Sequence, residues 1–269
     1  MTKLTGKVIW ITGASSGIGE ALTYALAKRG NRLILSARRT EELERVKNNC
    51  AGTDPKDIHI LPLDLGEINQ LKERTEEAIR VFGHIDVLIN NGGISQRSLA
   101  KDTSLEVDRR LMEVDYFGTI ALTKYLIPHF IQQQAGHYVV VTSVTGKVGT
   151  PYRSGYSAAK HALHGFFDAL RAELWKESKS IYVTIVGPGW IRTNVSINAL
   201  TGDGTPNRTM DPTTARGIDP NVLAGKMIKA IERKKNEVFI AGTKETLALY
   251  LQRFFPGLLS KIIRNAAVR

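Results

Sequence analysis

Residues 7–19 read Lys7-Val8-Ile9-Trp10-Ile11-Thr12-Gly13-Ala14-Ser15-Ser16-Gly17-Ile18-Gly19. An apolar, β-branched run ends in a glycine-rich turn. After the turn, Ile18, Leu22, Ala25 and Leu26 recur at helical spacing. Strand, tight turn and helix in that order open a parallel β/α alternation. Glycines in such a turn let the backbone approach a diphosphate closely. The helix behind it offers unpaired N–H groups and the positive end of its dipole. Gly13, Ser15, Ser16, Gly17, Ile18 and Gly19 are therefore the candidate cradle of a dinucleotide.

The next apolar run continues as Ser36-Ala37-Arg38-Arg39. A site for NAD(H) places a carboxylate at this strand end to hold the ribose 2′-hydroxyl. Here two guanidiniums stand instead, and their forks suit a 2′-phosphate. Arg38 and Arg39 thus select NADP(H) over NAD(H).

Further strands are expected at 7–12, 32–36, 58–62, 87–90, 137–142, 182–186 and 238–241. Several, such as Val139-Val140-Val141, are continuously apolar, as strands covered on both faces should be. Helical spacing predicts helices over 67–82, 104–132, 155–177 and 220–234. With no repeat or linker, the chain reads as a single domain over 1–269. Its stretch 194–220, rich in Gly, Pro, Thr, Asn and Asp, is expected to form a substrate lid with a short helix inside. A basic C-terminal extension covers about 243–269.

Composition narrows the setting. The chain has 269 residues, a hydrophobic share of 42%, one cysteine and a net charge of +11. A single Cys50 excludes an internal disulfide framework and suits a reducing compartment. Neither an apolar leader nor a membrane-length apolar run is evident, so a cytoplasmic location is expected. Residues 224–269 hold ten Lys/Arg against three Glu. No aromatic platform or recognition motif accompanies that charge, which argues against nucleic acid. The run 247–269 mixes apolar and basic residues around Pro256-Gly257, a pattern suited to peripheral contact with an anionic membrane, to capping the substrate pocket or to packing on a partner subunit.

Tyr156 and Lys160 are four residues apart on a predicted helix and share a face. A free phenol titrates near 10, and an adjacent ammonium favours its phenolate. Such a phenol can hand a proton to a developing alkoxide or take one from an alcohol. Ser143, just past the fifth strand, can hydrogen-bond the same oxygen.

Taken together, these motifs resemble the short-chain dehydrogenase/reductase family over nearly the whole chain. They are residues 12–19, Asp64-Leu65, Asn90-Asn91-Gly92-Gly93, Ser143, Tyr156-Ser157-Ala158-Ala159-Lys160, and Pro188-Gly189 with Ile191 and Thr193. The resemblance implies a doubly wound, three-layer Rossmann-type α/β sandwich with a seven-stranded parallel sheet ordered 3-2-1-4-5-6-7. It implies that Asp64 contacts the adenine, and that Asn91, Gly92 and Gly93 line the cofactor. Lys160 would hold the nicotinamide ribose, while Ile191 and Thr193 meet the carboxamide. It further implies a homodimer or homotetramer. The expected reaction is NADPH-dependent reduction of a ketone or aldehyde, with a lipid-like substrate suggested by residues 94–99 and 152–154. A 3-oxoacyl thioester reductase and a non-catalytic NADP(H) sensor are the alternatives.

Asp115 stands where the family usually has asparagine, a residue held to kink a helix and place a water in a relay through the lysine. An ionised aspartate accepts hydrogen bonds but donates none, so Asp115 is expected to keep the relay and sharpen its pH dependence. Arg97 and Arg153, within the two segments that suggest a lipid-like substrate, offer the alternative of attracting an anionic one. His161 and His164 are read as surface or interface histidines, Cys50 as an inert surface thiol, and no metal site is expected.

Overall fold

Strand β1 (Val8–Thr12) is apolar or β-branched throughout, so it can be covered on both faces. Ile9 and Ile11 enter one core, Val8 and Trp10 the other. The indole N–H of Trp10 donates to Ser36 Oγ at 2.9 Å, which satisfies its one polar atom inside the protein. The computed structural model describes residues 3–264. Around β1 the sheet adds β2 (Arg32–Ser36), β3 (Ile58–Ile60), β4 (Val87–Asn90), β5 (Gly136–Val141), β6 (Ile181–Pro188) and β7 (Glu237–Ile240). All pairings are parallel, in the order β3-β2-β1-β4-β5-β6-β7 that the resemblance implied.

Helices α1 (Gly17–Ala27), α2 (Thr40–Asn48) and α8 (Pro220–Glu232) close one core. Helices α3 (Ile68–Phe82), α5 (Gly118–Gln132) and α6 (Ser154–Glu177) close the other. In α1, Gly19 costs about 1 kcal/mol of helix propensity. Fully buried Leu22 and Leu26 contribute roughly 1.5–3 kcal/mol each, so tertiary burial wins.

Four local departures from the sequence expectation have physical causes. β3 is regular only to Ile60 rather than 62: Leu61 and Leu63 still donate their N–H groups to Leu35 O and Ala37 O, and Pro62 falls between them on the side away from β2, at the open edge of the sheet where a missing N–H costs no ladder bond. α2 was not expected; it is short and charged, and buries only Leu43 and Val46. The single helix foreseen over 104–132 is three pieces: α4 (Leu105–Leu111), a π-helical turn (Met112–Phe117) and α5. That wider turn carries Asp115 into the interior. Beyond β7 the chain forms α9 (Thr243–Phe254) and α10 (Pro256–Arg264), divided at the expected proline. The rest of the basic extension, 265–269, lies outside the described residues.

The stretch 194–220 is anchored rather than loose. Leu200 N–H donates to Ser95 O and Arg97 N–H to Leu200 O, both at 2.8 Å, and Ser104 N–H donates to Gly202 O. It contains one short helix, α7 (Pro212–Ala215), as expected.

Candidate active site

The cofactor turn sits at the carboxyl end of β1. Gly13 and Gly17 have φ of +65° and +59°, a region open to glycine at no steric cost. A Cβ on Gly13 would come within 2.8 Å of Gly92 Cα, and one on Gly17 within 3.0 Å of Thr193 Cγ2. Ser16 precedes α1 in extended conformation without capping it, so the first N–H groups of the helix remain open toward the cleft. Thr12 Oγ1 accepts the N–H groups of Asn91 and Gly92 at 3.0 and 2.9 Å, and Asn91 Nδ2 donates to Thr12 O at 3.0 Å. These bonds fasten the turn after β4 to the glycine turn.

The resulting cleft has a volume of about 580 Å³, within the range of small-molecule sites. Gly13, Ser15, Ser16, Gly17, Ile18, Arg38, Arg39, Asp64, Leu65, Asn91, Gly92, Gly93 and Thr193 all line it. Gly19 stands behind the turn, where a Cβ would strike Gly13 O. Pro188 ends β6, Gly189 lies against Ala241, and Ile191 is buried in the core, so none of the three lines the cleft. Arg38 and Arg39 are exposed and have no ion-pair partner among the described residues. Arg110 lines the cleft beside Asp64, 3.6 Å from its carboxylate, and was not anticipated.

Lys160 and Asp115 meet at the Gly93 edge. A Cβ on Gly93 would lie 3.0 Å from Asp115 Oδ1 and 3.3 Å from Lys160 Nζ. Lys160 Nζ is 3.3 Å from Asp115 Oδ2 and 5.5 Å from the centre of the Tyr156 ring. Asp115 Oδ1 accepts the Ile94 N–H at 2.7 Å. Complete burial raises the Asp115 pKa, against the lowering pull of Lys160 and the Ile94 N–H. Burial works to lower the pKa of Lys160, but the charges of Asp115 and then Tyr156 carry it above the ordinary value. Lys160 is therefore held as an ammonium.

Ser143 opens a 3-10 turn, Val144–Gly146, and its Oγ accepts Thr145 N–H at 3.1 Å. Its own O–H proton stays free to donate. Gly146 brings this turn against α6, where a Cβ would sit 3.0 Å from Lys160 O. The amino end of α6 is capped from outside. Gln96 Oε1 accepts the N–H of Gly155 at 2.9 Å and of Tyr156 at 3.4 Å, and Gln96 Nε2 donates to Thr103 Oγ1 at 2.8 Å.

Several expectations fail here. Arg97 and Arg153 are not open charges; both are buried, with Asp211 Oδ2 2.7 Å from Arg97 Nε and 3.1 Å from Arg153 Nη2. Burial, then the neighbouring Arg97 charge, brings Arg153 down to about 10. His164 is a core residue, 3.0 Å from Glu237 Oε1 and stacked on Phe239, while His161 is exposed. Cys50 is buried, its thiol pushed up to about 11 by desolvation.

A family model described as short chain dehydrogenase matches residues 7–203. The dehydrogenase/reductase SDR family protein 7-like of Drosophila melanogaster is 43% identical over 270 residues, spanning 99% of this chain and 82% of that protein. Dehydrogenase/reductase SDR family member 7B of Bos taurus is 41% identical over 265 residues, 97% of this chain and 81% of its own length. A solved short chain dehydrogenase/reductase from Burkholderia phymatum, in complex with NAD, shares the fold with a TM-score of 0.85 at 21% identity, covering 100% and 99% of the two chains. A short chain dehydrogenase from Burkholderia cenocepacia J2315, in complex with NADP, reaches 0.79 at 25% identity, over 97% and 99%.

Proposed function

The chain belongs to the short-chain dehydrogenase/reductase family, and from that premise we propose that it is an NADP(H)-dependent carbonyl reductase, running as an alcohol dehydrogenase in reverse. The observation that carries the reading is the buried Lys160 ammonium, set between Asp115 and the Tyr156 ring at the edge of the glycine-floored cleft.

The residues fit a dinucleotide phosphate. The uncapped start of α1 with Gly13, Ser15, Ser16, Gly17 and Ile18 would hold the diphosphate. Arg38 and Arg39 would hold the 2′-phosphate, and Asp64 and Leu65 the adenine. Asn91, Gly92, Gly93 and Thr193 would line the nicotinamide side. The bound cofactor supplies or removes the hydride. Tyr156 delivers a proton to the substrate oxygen, and Ser143 donates a hydrogen bond to it. Lys160 sets its ammonium beside the Tyr156 ring, and Asp115 is the counter-charge that keeps Lys160 charged.

Ile94, Val195, Leu200 and Pro206 line the same cleft next to Thr193 and favour an apolar, lipid-like ketone or aldehyde. Self-association as a homodimer or homotetramer belongs to this reading. Exposed Leu105, Phe117, Tyr125 and Trp175 on the α4–α6 side supply apolar surface for it. A cytosolic setting suits the lone, buried Cys50.

The test is oxidation of NADPH and NADH across ketosteroids, retinal, acetoacetyl thioesters, sugars and quinones. NADPH should be preferred, and Arg38→Ala/Arg39→Ala should erode that preference. Tyr156→Phe should retain NADPH binding and lose at least about a hundredfold in turnover. Undiminished reduction by that variant would refute the mechanism, and turnover of thioesters alone would replace the substrate class.

A further inference from the structure

Helices α9 and α10 carry an apolar surface that neither the reaction nor the core uses. Along α9, Leu247, Tyr250 and Phe254 recur at i, i+3 and i+7; Phe255 follows at the bend, and Leu258 and Ile262 repeat at i, i+4 on α10. All six are 49–65% exposed. Across the two helices only Leu259 is buried.

Position and charge say what this face meets. α9 begins at the carboxyl end of the sheet, the end at which the cleft opens. There Glu245 Oε1 lies 3.1 Å from where a Cβ on Gly189 would stand. Lys244, Arg253, Lys261 and Arg264 are exposed on the same two helices, and no Asp or Glu occurs between 246 and 264. A symmetric second copy would set this predominantly cationic surface against itself, like charge facing like charge, which opposes association. Anionic headgroups would neutralise the cations, while the apolar side chains enter the acyl boundary to the ~5–10 Å depth typical of interfacial helices. Tyr250, apolar in body and polar at its tip, suits that boundary.

We propose that α9 and α10 form a platform that docks the protein onto anionic bilayers, holding the cleft's end of the molecule toward the lipid. The docking does not depend on which reaction the cleft performs.

The experiment is flotation of the full-length protein with phosphatidylcholine vesicles, with and without phosphatidylserine. The native protein should float with the phosphatidylserine-containing vesicles and stay unbound with phosphatidylcholine alone. Phe254→Asp/Leu258→Asp and Arg253→Glu/Lys261→Glu should each lose about tenfold or more in bound fraction. Unchanged circular dichroism and melting temperature would show that these exposed variants fold. A native protein that ignores both vesicle types overturns the proposal. So does a Phe254→Asp/Leu258→Asp variant that floats like native, since adsorption would then come from net charge alone. Dissociation of an oligomer by that same variant, seen by sedimentation without vesicle binding by the native protein, would reassign the face to a second copy.

Discussion

Asp115 is the residue at which this site is chemically distinctive. Burial raises its pKa, so on acidification it takes up a proton earlier than an exposed aspartate would. Lys160 then loses the counter-charge that contributes most to holding it protonated. Replacing it by asparagine removes a titrating group from the acid limb. It also leaves burial less opposed at Lys160, whose pKa should fall. We expect the kcat–pH profile of Asp115→Asn to lose an acid-side step and to turn down at lower pH on the alkaline side. Profiles that superimpose would remove Asp115 from the relay. At this scale the residues that line the cleft were legible where they come in short local patterns, such as the 12–19 turn, Asn91-Gly92-Gly93 and Arg38-Arg39. Gln96, Arg110 and the Arg97–Asp211–Arg153 cluster were not. Gln96 caps a helix 59 residues on, and Arg97 meets a carboxylate 114 residues away. No local periodicity encodes such pairings.

At the scale of elements, the segment 194–220, part of which lines the cleft, is tied to that buried cluster. Asp211 lies just before Pro212, the pairing expected at a helix start, yet its side chain turns inward to two guanidiniums and its N–H donates to Ser196 Oγ at 3.2 Å. Arg153 also stacks over Trp190, 4.7 Å from the ring centre. Removing one partner of a buried ion pair typically costs about 3–5 kcal/mol, because the other charge stays buried without compensation. Asp211→Ala should lower stability in urea melts by about that much and expose 194–220 to limited proteolysis. Native-like stability and cleavage would show that backbone bonds alone hold the segment. The same comparison explains the broken 104–132 helix. Its hydrophobic spacing announces a helix, whereas the π-helical turn answers to Lys160 and Ile94, which lie far away in sequence.

For the whole molecule, both cores follow from apolar runs that read as two-faced strands and the strand order from the family resemblance, so the architecture was legible where the polar interior was not. His137 shows how that interior sets the response of the entire fold to acid. It sits in β5, within the sheet, with its Nε2 2.8 Å from Thr184 Oγ1 on β6. Burial, aided by the nearby Lys234 charge, depresses its pKa from 6.5 to about 4. The unfolded chain therefore binds a proton below pH 6.5 that the folded chain refuses until about pH 4, and stability falls as pH drops through that window. Between pH 6.5 and 4.5 the native protein should lose about 2–3 kcal/mol more than a His137→Gln variant, at 1.4 kcal/mol per pH unit. Urea melts of both proteins at the two pH values measure the difference directly. The comparison cancels the self-repulsion of a chain that already carries a net charge of +11, since both proteins share it below pH 6.5 in the folded state. Equal losses in the two proteins would mean that the folded chain protonates His137 as readily as the unfolded one, and that the β5–β6 seam opens to water well before the sheet unfolds.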